Sequence, residues 1–176
     1  MRLFRKSLTT FLLLPLAIGA AKINAITLDE LYAAQGITPE RFAEYFSEFK
    51  FKFHEEVQDH KVFLTSRSGD CDDYATLAAD VLRRSGFTPR LIAVRMPGET
   101  HVVCYIEETK SYLDYNARKD AVKTVACSPE ILDIAASVSA SFGREWTATY
   151  EFTYSKRERV KRLVNQIVYK AKEKSA

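Results

Sequence analysis

The chain has 176 residues, of which 47% are hydrophobic and 28% charged, and a formal net charge of +3. That length fits one domain, and six glycines and five prolines exclude a collagen-like, low-complexity or disordered chain. The positive charge belongs mostly to the N-terminus: removing residues 1–25 takes away Arg2, Arg5, Lys6 and Lys22 and no acid, which leaves −1.

In chain order, Arg2, Arg5 and Lys6 precede the apolar run Phe11 to Ala20, with small residues at Gly19, Ala20, Ala21 and Ala25. A charged start, a short apolar middle and a small-residue end predict a secretory signal over residues 1–25, and so an exported, periplasmic or extracellular protein. The run is short for a membrane span, so no stable membrane anchor is expected after cleavage. Ile26 to Gly36 predicts a short amphipathic helix. Thr38 then caps a second helix, with Pro39 suited to its first position. Phe42, Tyr45, Phe46, Phe49 and Phe53 follow at helical spacing, which reads as a core face, with a ligand groove as the alternative. Residues 55–68 read as polar and irregular.

Ser68-Gly69-Asp70-Cys71-Asp72-Asp73-Tyr74-Ala75 places a cysteine where a polar loop becomes a helix that runs to about Arg84, with Gly86 as its terminal glycine. A thiol there lies in the positive end of the helix dipole, which favours the nucleophilic thiolate. Strands are expected at 90–96, 100–107 and 111–116, with Pro97-Gly98 as a turn and a short strand at 121–126. A helix is expected over 129–140. Residues 146–154 alternate strictly, as a half-buried antiparallel strand does. Lys156 to Lys172 reads as a basic amphipathic helix with Val160, Leu163, Val164, Ile167 and Val168 apolar. Helices first, then a helix feeding an antiparallel sheet, make the class α+β, with residues 26–176 as a single domain.

A cysteine nucleophile needs a base, and the base needs an orienting group. Of the three histidines, His54 and His60 lie in the polar stretch and read as exposed. His101 begins an apolar strand. The strands over 100–107 and 111–116 are joined by a short turn and should pair antiparallel. One register sets His101 opposite Asp114; a slip of one residue sets it opposite Asn116, on the same face. Either side chain can orient an imidazole, but only Asp114 also stabilises the imidazolium by charge.

These residues resemble the transglutaminase-like superfamily of papain-like fold. The resemblance rests on Gly69-Asp70-Cys71-Asp72-Asp73-Tyr74-Ala75, on Gly86 with Pro89-Arg90, and on His101 and Asp114, and covers about residues 65–116. The wording around Cys71 is most similar to the bacterial transglutaminase-like cysteine proteinases. It implies a catalytic triad of Cys71, His101 and Asp114, attack on an amide carbonyl, and a protein or peptide substrate. One departure is that Val102-Val103 follow the histidine where many members carry an aromatic.

The expected function is therefore an exported thiol-dependent amide hydrolase, in its narrower form a cysteine peptidase. Acyl transfer to an amine and a non-catalytic binding module are the alternatives. No cofactor is expected. No zinc site follows from the spacing of His and Cys. Asp70, Asp72 and Asp73 read as a helix cap and first-turn acids, with a calcium site as the alternative. Three carboxylates beside the thiol oppose thiolate formation, so the dipole and His101 must outweigh them or a cation must offset them. If one cysteine pair forms, Cys104–Cys127 is the pair left once Cys71 is set aside. The basic tail lacks the interleaved aromatics that would argue for nucleic acid. A solvated helix face or a membrane-surface contact accounts for it.

Overall fold

The computed structural model describes residues 26–168. The predicted leader of residues 1–25 lies outside them. The first two helices form where their caps direct. Thr27 and Glu30 make a reciprocal capping box at α1 (Leu28–Ala33), and Thr38 with Pro39 opens α2 (Pro39–Glu44). The aromatic stripe outlives its helix. α2 ends at Glu44, yet Phe46 and Phe49 still enter the core and stack with Phe63 and Tyr74. Phe53 breaks the pattern and is 70% exposed. The chain has by then left the helix for an extended segment, β1 (Lys50–Phe51).

Residues 55–68 are not irregular throughout. Asp59 caps a seven-residue helix, α3 (His60–Ser66), which buries His60, Phe63 and Leu64. Two residues, β2 (Ser68–Gly69), pair parallel with β1 and lead into α4 (Cys71–Arg84). Asp70 and Asp73 form the capping box of α4, and Gly86 beyond its end takes φ 91°.

Six strands build one antiparallel sheet. They are β3 (Pro89–Met96), β4 (Glu99–Ile106), β5 (Ser111–Leu113), β6 (Thr124–Ala126), β7 (Ala148–Ser155) and β8 (Val160–Val168), in spatial order β6-β5-β4-β3-β7-β8. The apolar runs in β3 and β4 are near-continuous because both sheet faces are covered. On one face α4 packs Tyr74, Ala78 and Leu82 with Leu91, Val102, Cys104 and Ile106. On the other, α5 (Ile131–Ser141) packs Ile134, Ala135 and Val138 with Ile92, Val103, Tyr105 and Tyr112. The class is α+β, as expected. No helix among the described residues is long and apolar enough to cross a membrane.

The predicted C-terminal helix is overturned. Residues 160–168 are the edge strand β8, paired with β7 from Ser155↔Val160 to Ala148↔Val168. The pairing passes from Glu151↔Asn165 to Phe152↔Leu163, so Val164 is the extra residue of a bulge. That insertion breaks the period of two and leaves apolar residues spaced as on a helix. Val160, Val164, Ile167 and Val168 are β-branched, and β7 offers an open row of backbone groups. Lys161 and Arg162 place charge on the exposed edge, a common guard against edge-to-edge pairing.

Candidate active site

Cys71 is the first residue of α4, where the leading N–H groups have no intrahelical acceptor. The turn that delivers it is tightly bonded. Asp70 Oδ2 accepts from the His54 N–H at 2.8 Å and Asp70 Oδ1 from the Asp72 N–H at 3.3 Å. Asp73 accepts from the Gln58 N–H at 2.7 Å, from Gln58 Nε2 at 2.6 Å and from the Asp70 N–H at 3.2 Å. Asp70 and Asp73 therefore fix the thiol's position and bind segment 54–58 against the helix start.

His101 lies near the start of β4, buried, with its ring edge-on to Phe142 at 4.9 Å. Its Nε2 is 2.8 Å from Asp114 Oδ1, which also accepts the Asn116 N–H at 2.7 Å. This leaves Nδ1 as the ring nitrogen that Asp114 does not use, and Cys71 lines the same cleft as His101. The hairpin register is Cys104↔Leu113 and Ile106↔Ser111, which continued would set His101 opposite Asn116. The ladder stops at Leu113, however, and the chain turns into a short 3₁₀ helix, Asn116–Lys119, so Asp114 is the side chain that meets the imidazole. Arg118 holds that turn, donating to the Tyr115 carbonyl at 2.5 Å and the Phe49 carbonyl at 2.7 Å.

Burial opposes charge on His101. The hydrogen bonds and negative charge of Asp114 and Cys71 nonetheless outweigh it and raise its pKa to about 10. The group is thus raised from roughly 6.5 in an unfolded chain. Its contribution to stability is fully present below that value and is lost as pH rises through about 10. The gap in melting temperature between the protein and a His101→Gln variant should accordingly be widest near pH 6 and close toward pH 10.5. A gap that grows with pH would refute the ion pair.

The other candidates sort clearly. His60 is buried rather than exposed, packed within α3 with its Nδ1 3.6 Å from Asp80. It lies away from Cys71 because its helix turns it inward against α4. His54 is half-buried rather than exposed. Its Nδ1 is 3.5 Å from Asp73, and it lines a cleft of about 620 Å³ with Cys71, His101, Phe51, Phe53 and Lys161. Phe51 and Lys161 carried no sequence signal for a site, Lys161 reading as a helix surface; Phe53 read as core, with a ligand groove as the alternative. The three cysteines are free, with Cys104 in the core on one sheet face and Cys127 partly buried against the core on the other, so the possible pairing does not occur. Burial pushes both of their thiols up, Cys104 strongly.

Among the described residues, His54, Asp70 and Asp73 bring their ligand atoms within 4.8 Å of one another, close enough to share a cation. The oxygens of those carboxylates already accept backbone N–H groups and the Gln58 amide.

The sequence matches the family description "Transglutaminase-like superfamily" over residues 29–150. The chain belongs to the transglutaminase-like superfamily. Among solved structures, the Legionella pneumophila LapG (calcium-bound) chain is similar at 15% identity and a TM-score of 0.47, covering 69% of this chain and 68% of that one. A search of curated proteins found no match. The superfamily match spans both the Cys71 helix start and the hairpin that carries His101 and Asp114.

Proposed function

We propose that the protein is a cysteine peptidase acting through Cys71, His101 and Asp114. The observation that carries this reading is the buried His101–Asp114 hydrogen bond on the same cleft as Cys71, which opens a helix. The thiol proton resides on His101, and the Cys71 sulfur, as thiolate, forms a bond to the carbonyl carbon of an amide. The resulting oxyanion is stabilised by the Cys71 N–H and the helix N-terminus. Collapse breaks the C–N bond, with His101 giving its proton to the departing amine, and leaves a thioester. Water then attacks that carbonyl while His101 removes a proton. The acid departs and the thiol is restored.

Phe51 and Phe53 project beside this cleft as exposed aromatics, 66% and 70% accessible. Their spacing of two in an extended segment puts both on one side. Such a shelf suits an apolar side chain of an extended peptide. The charged start and apolar run of residues 1–25 support a setting outside the cytoplasm.

The test is thiol labelling followed by digestion. Iodoacetamide should modify Cys71 far faster than Cys104 or Cys127 in the folded protein. A denatured protein mixture should then acquire new N-termini that Cys71→Ala does not produce. Equal, slow labelling of all three thiols would overturn the reading. Incorporation of a labelled primary amine in place of new N-termini would make the reaction acyl transfer.

A further inference from the structure

Three carboxylates flank Cys71 in the sequence, two of them, Asp70 and Asp72, line its cleft, and the three are not alike. Asp70 and Asp73 are satisfied by N–H donors of their own neighbourhood. Asp72 is not: its Oδ1 is buried with no hydrogen-bond partner, and its Oδ2 meets Lys161 Nζ at 2.5 Å. The two residues are 89 apart in the sequence, so their contact is a product of the fold.

We propose that Lys161 is a positioning residue that offsets the carboxylate charge beside Cys71, so that the β7–β8 hairpin completes the site. The inference rests on the reading of Cys71 as the nucleophile. Lys161 projects from β8 opposite Tyr154, on the same sheet face as Phe152, whose ring centroid lies 5.8 Å from Nζ. Its ammonium lines the cleft that holds Cys71. The hairpin is fixed independently of this contact. Arg159 donates to the Val57 carbonyl at 3.3 Å, and Lys156 reaches Tyr32 at 2.7 Å and Asp80 at 3.0 Å. The strand therefore fixes the Lys161 backbone where its ammonium reaches Asp72.

A thiolate adjacent to an uncompensated Asp72 carries like charge on its flank. With Lys161 in place the Asp72–Lys161 pair is neutral, so one fewer negative charge opposes the positive end of α4 and His101 at the sulfur. Lys161 touches neither sulfur nor ring. It acts through Asp72.

The test compares two alkylating agents of similar size at pH 8.5, iodoacetate and iodoacetamide, with the rate at Cys71 read by mass spectrometry. Their ratio reports local charge. Lys161→Met should lower the iodoacetate-to-iodoacetamide ratio by roughly fivefold, the effect of one unit charge a few ångströms away in water. Asp72→Asn should raise it. Lys161→Arg should retain the parent ratio, and Lys161→Met with Asp72→Asn should restore it. A Lys161→Met ratio equal to the parent's overturns the proposal. If that variant fails to fold, an unchanged Asp72→Asn ratio overturns it instead. Should Cys71 in the parent react no faster than Cys104 and Cys127, the peptidase reading falls as well. Fast parent labelling with an insensitive ratio removes only the role of Lys161.

Discussion

Cys71→Ala should abolish amide hydrolysis, with kcat/KM down by at least about three orders of magnitude, while the melting temperature stays close to the parent's. Alanine suits the first turn of a helix, and the Asp70–Asp73 capping box does not use the sulfur. His101→Ala should lower the rate by roughly 10²–10⁴, the usual contribution of a positioned acid–base group. Asp114→Asn should cost less than His101→Ala, because an amide oxygen still accepts from Nε2 and only the charge is lost. Rates on one peptide substrate, with circular dichroism as the control for folding, check all three. Parent-like activity in Cys71→Ala would end the covalent mechanism.

Gly69→Ala should be strongly damaging: among the described glycines it is the one whose added methyl would meet its neighbours. A Cβ at that position would lie 2.4 Å from Asp73 Oδ2 and 2.7 Å from two carbons of the Phe63 ring. Phe63 is wholly buried among Phe46, Phe49 and Leu64, and Asp73 is held by Gln58 and the Asp70 N–H. Neither can retreat without losing packing or hydrogen bonds. Overpacking of this kind costs about 1–3 kcal/mol and sometimes more. It also displaces the turn that presents Cys71, so the loss of activity should exceed the loss of folded protein. Urea denaturation together with the Cys71 labelling rate measures both. Gly69→Ala at parent stability would mean that the β2–α4 junction is looser than its contacts indicate.

The features written in short, local patterns were legible before any coordinates. The start of α4 is announced by Asp70-Cys71-Asp72-Asp73, the β3–β4 turn by Pro97-Gly98, and the proposed triad by three residues within one helix start and one hairpin. The strand pattern by itself did not choose Asp114 over Asn116; the family resemblance did. Sequence alone allows both registers, and the outcome depends on where the β5 ladder stops and on Arg118 bracing the turn beyond it. The C-terminal strand misread for a related reason. One bulged residue, Val164, mimics helical spacing, and only the open edge of β7 decides between the two states. Phe53 likewise looks like the end of a helical stripe. It becomes cleft wall because the helix ends at Glu44 and the chain continues extended to meet β2.

The edge hairpin also bears on synthesis. Residues 71, 101 and 114 leave the ribosome before residue 161 does, so a nascent chain holds Cys71, His101 and Asp114 while Asp72 still lacks its ammonium. The thiol of such a chain stands beside an unbalanced carboxylate until β8 pairs with β7. Pairing of β8 with β7 is thus the event that brings the ammonium to Asp72, and on the proposed reading it also sets the charge around the sulfur.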